Sequence, residues 1–250
     1  MKMYPITRAK LWLRALISGE KCIACGEMKT KGESLLCPDC EDNLKRSHLL
    51  LCSDCGAYAR DCLCATPIMR ESGIDVLIKY AFYDASDKDA ALNCIVRRLK
   101  RIPDRLAFSY FAAILSRPLG VVCNSRGYTK ENALVVHIPR SKKMIARDGH
   151  DQAKLFAISV ARKIGIPHSS ALKRIKHGKQ QKYLHVDERV ENVKGMFAVR
   201  NVESVRGKRI ILADDLVTTG ATVSEAARVL IAAGAVEVVC ICIANSDIRK

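Results

Sequence analysis

Two stretches of this chain place reactive side chains at spacings that chemistry can use. The first is Cys22-x-x-Cys25, then eleven residues, then Cys37-x-x-Cys40. It is followed by Cys52-x-x-Cys55, six residues, and Cys62-x-Cys64. Each set offers four soft thiolates in two short arms, which is what a tetrahedral structural zinc requires. Spacing leaves the partition open: the sets can bind one ion each, or interleave so that the first and third arms share one. A redox-active dithiol is the rival reading, and four clustered pairs favour closed metal sites over it. His48, between the sets, reads as a surface residue.

The second stretch is Ile210–Thr222, IILADDLVTTGAT. Four apolar residues predict a buried strand that delivers Asp214 and Asp215 at its carboxyl end. Adjacent carboxylates suit two neighbouring sugar hydroxyls, because each accepts their hydrogen bonds. Thr218, Thr219 and Thr222 supply hydroxyl donors, Gly220 beside Ala221 permits close backbone approach, and the helix that starts after Thr222 offers amides and a dipole that favour a phosphate. Thr222 and Glu225 also have the spacing of a capping box, which alone would account for both. Capping does not account for an acidic pair followed by Thr-Thr-Gly.

These residues need elements to hold them. Composition changes near Thr66–Pro67: before it the chain is cysteine-rich and too poor in apolar residues to fold on a core of its own, and after it strand-like and helix-like segments alternate. The expected organisation is an N-terminal helix over residues 1–20, a zinc-binding module over 21–66 and an α/β domain over 67–250. Strands are expected at Ile74–Tyr83, Ala133–Ile138, Arg209–Ala213 and Val236–Ala244. Helices are expected around Leu92–Leu99, near Leu106–Leu115, at Asp151–Ile164, and after Thr222 with Val223, Ala226, Ala227, Leu230 and Ile231 on its inner stripe. Strand–helix–strand order implies parallel pairing, with ligands bound at the carboxyl ends of the strands.

Hydrophobic residues make up 49% of the 250, which fits a folded globular chain. The longest apolar runs, such as Val236–Ala244, are short for a bilayer span. No small-residue cleavage pattern precedes Cys22, so a cytoplasmic location is expected. Cys94, Cys123, Cys240 and Cys242 read as small apolar core residues. The formal charge of +16 falls to about +12 if eight thiolates hold two zinc ions. It still points to a polyanionic partner, nucleic acid or a phosphorylated small molecule, unless it merely aids solubility. Arg97, Arg98, Lys100, Arg101 and Arg105 form one basic cluster; Lys173, Arg174, Lys176, Lys179 and Lys182 form another, with Tyr183 after it. Both could neutralise DNA phosphates.

The Ile210–Thr222 stretch resembles the ribose-phosphate signature of type I phosphoribosyltransferases. The cysteine-rich N-terminus ahead of such a domain resembles the ComF (competence protein F) family of DNA uptake. Further similarities are Pro139-Arg140 after a buried strand, Gly149-His150-Asp151-Gln152-Ala153 opening a helix, and Gln181-x-x-Leu184 followed by Arg189-x-x-Asn192-Val193-Lys194-Gly195-x-Phe197. The resemblance implies a type I phosphoribosyltransferase fold, a mostly parallel sheet flanked by helices. It implies that Asp214 and Asp215 hold the ribose hydroxyls of phosphoribosyl pyrophosphate and Thr218–Thr222 its 5′-phosphate. Arg140, Lys142 and Lys143 would meet the pyrophosphate with magnesium, and Arg140 would act in catalysis with the two aspartates. A loop over Lys176–Lys194 would close on the site, with Gln181, Arg189 and Asn192 as candidates to act from it; a solvated helix at Asp187–Lys194 is the alternative for those three. Single-stranded DNA and a DNA-uptake machinery are the implied partners. A metabolic phosphoribosyltransferase, or a sensor of phosphoribosyl pyrophosphate without turnover, are the other functions this pattern could serve.

The chain departs from the family at three places. Asp148 stands where the family has arginine, His150 replaces an aromatic residue, and Asp151 replaces asparagine. Acids thus enter a neighbourhood that should meet anions, and the sequence supports ligand binding more firmly than turnover.

Overall fold

The computed structural model describes residues 21–29, 35–83, 86–176 and 191–246. The expected N-terminal helix over residues 1–20 lies outside them, as do Gln181 and Arg189.

The element order is α1 (Pro38–Ser47), α2 (Pro67–Glu71), β1 (Leu77–Tyr83), α3 (Ala91–Leu99), α4 (Arg105–Ser125), β2 (Ala133–His137), α5 (Lys142–Asp148), α6 (Gln152–Ile164), β3 (His168–Ser169), β4 (Leu172–Arg174), β5 (Phe197–Val199), β6 (Arg209–Val217), α7 (Ala221–Ala232) and β7 (Glu237–Ser246). β1, β7, β6, β2 and β3 form one parallel sheet in that order, and β4 pairs with β5 antiparallel beside it. This is the expected α/β fold, a parallel sheet flanked by helices.

Ile210–Ala213 and Val238–Ala244 are buried on both faces, as central parallel strands must be. One face packs on α3, α4 and α6 through Ile95, Phe108, Phe111 and Phe156; the other packs on α2 and α7 through Met69, Val223, Ala226 and Leu230. α4 runs ten residues further than the sequence suggests, from Leu115 to Ser125, with Pro118 inside it. By length and hydropathy it could cross a membrane, and no other described helix could. Phe108, Phe111, Ala112, Leu115 and Leu119 are nevertheless buried in the core, as in the central helix of a globular domain.

The strand order fixes where a ligand can bind. β2 leads through α6 to β3 on its outer side, whereas β6 leads through α7 to β7 on the opposite side. The chain therefore turns in opposite directions from two adjacent strands, and a crevice opens between their carboxyl ends. β2 accompanies β6 only as far as Ala213. β7 stays paired with it through Val217. The strand thus does not end before the acids, as its apolar run suggests. Asp214 and Asp215 lie within it, on an edge from which β2 has turned away at Pro139.

Candidate sugar-phosphate site and cysteine clusters

A cavity of about 520 Å³ occupies this crevice. From β2 and its exit come Ile138, Pro139 and Arg140; from β6 and its exit come Asp214, Asp215, Thr218, Gly220, Ala221 and Thr222. The sequence-predicted acids and phosphate loop are thus brought together, with Arg140 opposite. Asp215 is buried, its Oδ2 facing Nε2 of Gln152 at 3.4 Å, and its backbone N–H donates to Oδ1 of Asp214 at 2.9 Å. Oε1 of Gln152 is buried with no hydrogen-bond partner among the described residues. Burial, then the Asp215 charge, raises the Asp214 carboxyl well above the ordinary aspartate value, and Lys100 works against the rise. Asp151 is also raised, by burial first.

The loop turns at Gly220, whose φ is +86°. A Cβ there would stand 2.5 Å from Thr66 Oγ1 and 2.7 Å from Met69 Cγ, so both the conformation and the space require glycine. Gly220, which has no side chain to cap with, is the residue that precedes α7, so Thr222 stands inside the helix and not at its cap position. The capping-box reading of Thr222 and Glu225 is therefore corrected. Glu225 turns aside, accepting from the Gly195 N–H at 2.7 Å and from Arg228. The first-turn amides of α7 have no acceptor within the helix itself, and Ala221 and Thr222 of that turn line the cavity. Thr218 and Thr222 line the cavity, while Thr219 is buried behind it, its Oγ1 accepting from the Ala221 N–H at 3.3 Å.

The opposing wall differs more from the sequence reading. Arg140 is held: Nη2 donates to Asp148 Oδ2 at 2.7 Å, and its backbone N–H donates to Asp151 Oδ2 at 3.0 Å. Lys142 and Lys143 do not line the cavity but are exposed on α5, because Ser141 caps that helix and its first turn rotates both outward. Among the described residues, the cations that do reach the cavity besides Arg140 are Lys100, from the end of α3, and Arg174, from β4. Arg174 is anchored by donating to the Pro139 carbonyl at 3.1 Å, and burial opposes its charge while Asp214 and Asp151 favour it. Both residues stand in the basic clusters of the sequence, yet nothing in their spacing predicts that they share a cavity. Asn192 also lines it.

The eight cysteines group sequentially, which settles the pairing that spacing left open. The sulfurs of Cys22, Cys25, Cys37 and Cys40 lie within 4.8 Å of one another, as do those of Cys52, Cys55, Cys62 and Cys64. None of the eight is in a disulfide. The two first arms repeat one local structure: the Gly26 N–H donates to the Cys22 carbonyl at 3.0 Å, and the Gly56 N–H to the Cys52 carbonyl at 2.9 Å. The Ala57 amide, first among several groups, draws the Cys55 thiol down to about 7. Four converging sulfurs with amide donors fit a zinc ion in each set. His48 joins neither set, and is half-buried edge-on to Tyr80. Cys123, Cys240 and Cys242 are buried as expected, whereas Cys94 is only partly so.

Comparison with known proteins places these features. The family described as "Phosphoribosyl transferase domain" matches residues 151–250. Competence protein F of Haemophilus influenzae is 24% identical over 227 residues, covering 87% of this chain and 93% of its own length. Competence protein ComFC of Bacillus subtilis is 29% identical over 212 residues, 82% of this chain and 81% of that protein. DNA utilization protein YhgH of Escherichia coli K12 is 28% identical over 227 residues, covering 88% and 89% respectively.

Proposed function

Because this chain belongs to the competence protein F family and carries a phosphoribosyltransferase domain, we propose that it binds phosphoribosyl pyrophosphate, or a related 5-phosphorylated sugar, and serves DNA uptake in the cytoplasm by handling single-stranded DNA. The observation that carries the reading is the convergence of Asp214, Asp215 and the Thr218–Thr222 loop on one cavity at the switch point of the sheet.

Each part has a physical role. The carboxylates of Asp214 and Asp215 accept from the ribose hydroxyls. The first-turn amides of α7, with the hydroxyls of Thr218 and Thr222, receive the 5′-phosphate. Lys100 and Arg174 supply positive charge inside the cavity, where reduced solvent screening makes each cation count for more. The carboxylate oxygens of Asp214 and Asp215 are hard donors that would suit a magnesium ion bound with the diphosphate, which would supply further neutralisation of charge. Breaking the glycosidic bond to pyrophosphate would need preorganised cations at the leaving group. Arg140, to which the family resemblance assigns that task, is engaged by Asp148. The geometry therefore favours ligand binding over turnover.

For DNA, the supporting feature is a run of exposed cations at Arg97, Arg101 and Arg105, beside Lys100 at the cavity. Arg98 and Arg174 belong to the basic clusters in sequence but turn inward, Arg98 donating to the Cys22 carbonyl at 3.1 Å.

The test is calorimetry with phosphoribosyl pyrophosphate and magnesium on the wild type and on Asp214→Ala/Asp215→Ala, beside a single-stranded DNA titration at two salt concentrations. Saturable sugar-phosphate binding lost in the double variant is expected, as is DNA affinity that falls with salt. A wild type that ignores the sugar phosphate would remove the core of the reading. DNA binding indifferent to salt would remove the role of the basic face.

A further inference from the structure

The exit of the second cysteine cluster leads directly to the phosphate loop. Cys62 and Cys64 are ligands of that cluster, and two residues later Thr66 donates its hydroxyl to the Thr219 carbonyl at 2.9 Å. Thr66 Oγ1 also accepts from the Met69 N–H at 3.4 Å, opening α2. Ser224 on α7 donates back to the Ile68 carbonyl at 3.1 Å. Between these two ties, Thr66 and the fully buried Met69 fill the space against Gly220 that a Cβ would need.

The other end of the segment is fixed as firmly. Lys79 on β1 is 2% exposed, and its ammonium donates to the Cys62 carbonyl at 2.9 Å and to the Cys62 sulfur at 3.2 Å. A buried ammonium is stable only against compensating negative charge, and a metal-bound thiolate supplies that charge. The Leu77 N–H donates to the Leu63 carbonyl at 2.9 Å, and Arg70 donates to the Ala65 carbonyl at 2.7 Å. Arg70 also lies 3.6 Å from Asp54, inside the Cys52–Cys55 arm. The first cluster is placed differently: Cys22, Ile23, Leu36 and Leu44 pack with α3 and α4 on the opposite face of the sheet.

We infer that the zinc ion of the second cluster, acting through the strap Cys62–Thr66, positions the phosphate loop, with Thr66 as the positioning residue and Lys79 as the counter-charge that locks the strap to the sheet. The first cluster has no such part. The inference rests on reading Thr218–Thr222 as a phosphate loop, but the coupling itself is measurable without any ligand.

Hydrogen exchange on the full chain tests it, with zinc content measured on the same samples. Cys55→Ser, at an exposed ligand, should lose one zinc and speed exchange of the Thr219–Ser224 amides about tenfold, as expected of a segment released from its anchor. Cys25→Ser should lose one zinc and leave those amides unchanged. Thr66→Val should keep both zinc ions yet speed the same amides, and Thr66→Ser should restore them. Should Cys55→Ser fail to fold, the Thr66 pair decides alone. Equal loop exchange in Thr66→Val and wild type, or equal loosening by Cys25→Ser and Cys55→Ser, overturns the inference. Calorimetry with phosphoribosyl pyrophosphate on the same proteins separates the two claims. Coupled exchange without sugar-phosphate binding upholds the strap and overturns only the ligand assignment.

Discussion

Asp148 holds Arg140 across a 2.7 Å ion pair in the wall of the cavity, and the same carboxylate takes Arg147 at 2.7 Å. The two arginines, Arg147 first, draw the Asp148 carboxyl down to about 2. A chain that carries an acid in this position therefore occupies the guanidinium that the proposed function assigns to pyrophosphate.

Releasing that guanidinium should strengthen binding on this side alone. Asp148→Asn is expected to tighten phosphoribosyl pyrophosphate about tenfold, the scale of one charge-assisted hydrogen bond, and to leave ribose 5-phosphate unchanged. Because the folded Asp148 titrates below the ordinary value of 3.8, the clamp is complete above that value and is lost only as pH falls toward about 2. The contrast between variant and wild type should therefore be constant through neutral pH. Calorimetry with both ligands checks it, and weaker binding of both would mean that Asp148 orients Arg140 rather than occupying it.

Asp214 should show the opposite linkage. Its carboxyl is raised by burial and by Asp215, so the folded chain holds that proton more tightly than the unfolded one. The associated stability is complete below the ordinary aspartate value and is lost as pH rises through the folded one. Asp214→Asn removes this cost at neutral pH. It should raise the melting temperature, because the amide carries no charge to bury. It should also weaken sugar-phosphate binding at least about tenfold, because the amide keeps one acceptor oxygen but replaces the other with a donor NH₂. A variant that loses stability as well as binding would show that Asp214 is held in place by more than its ligand.

Much of this site is legible in the sequence, and the exceptions have physical reasons. Asp214, Asp215, Thr218 and Thr222 reach the cavity because local strand and helix signals fix them. The extent of β6 is not legible, since nothing in Asp-Asp favours a strand and the pairing of Leu216 with Ala244 and Val217 with Asn245 carries it onward. The Thr222–Glu225 spacing misleads because Gly220, at φ +86°, begins the helix two residues early and leaves Thr222 inside it. Lys142 and Lys143 are close to Arg140 in sequence, but the helix that Ser141 caps turns them out. Lys100 and Arg174 arrive from separate elements, α3 and β4, a juxtaposition that only the tertiary fold creates.

Gly220 should tolerate no side chain. Alanine would have to adopt φ +86° and find room beside Thr66 Oγ1 at 2.5 Å and Met69 Cγ at 2.7 Å. The backbone strain alone is of order 1–3 kcal/mol, and the clash adds to it. Gly220→Ala should lower the urea midpoint by an amount equivalent to about 2 kcal/mol or more. The gentler Ala221→Gly, which removes a methyl group at the start of α7, should lower it less. Equal midpoints for Gly220→Ala and wild type would mean that the loop and α2 are not packed as described.

The cysteine module should depend on metal for its structure. Its own buried set of Cys52, Ala59 and Cys62, with Phe82 from β1, is too small a core to hold two long connections. The first cluster contributes Ile23, Leu36 and Leu44 to the main core, so its collapse would uncover part of α3 and α4. Coordinate bonds therefore do the work that apolar burial does elsewhere in the chain. Elemental analysis should find two zinc ions per chain. A strong chelator under reducing conditions should lower the melting temperature by roughly 6–12 °C, corresponding to about 3 kcal/mol at this size. Zinc should restore it and magnesium should not, because thiolates are soft donors that magnesium does not accept. A chain that holds no zinc when purified, yet melts at the same temperature with and without added zinc, would return the eight cysteines to a redox role.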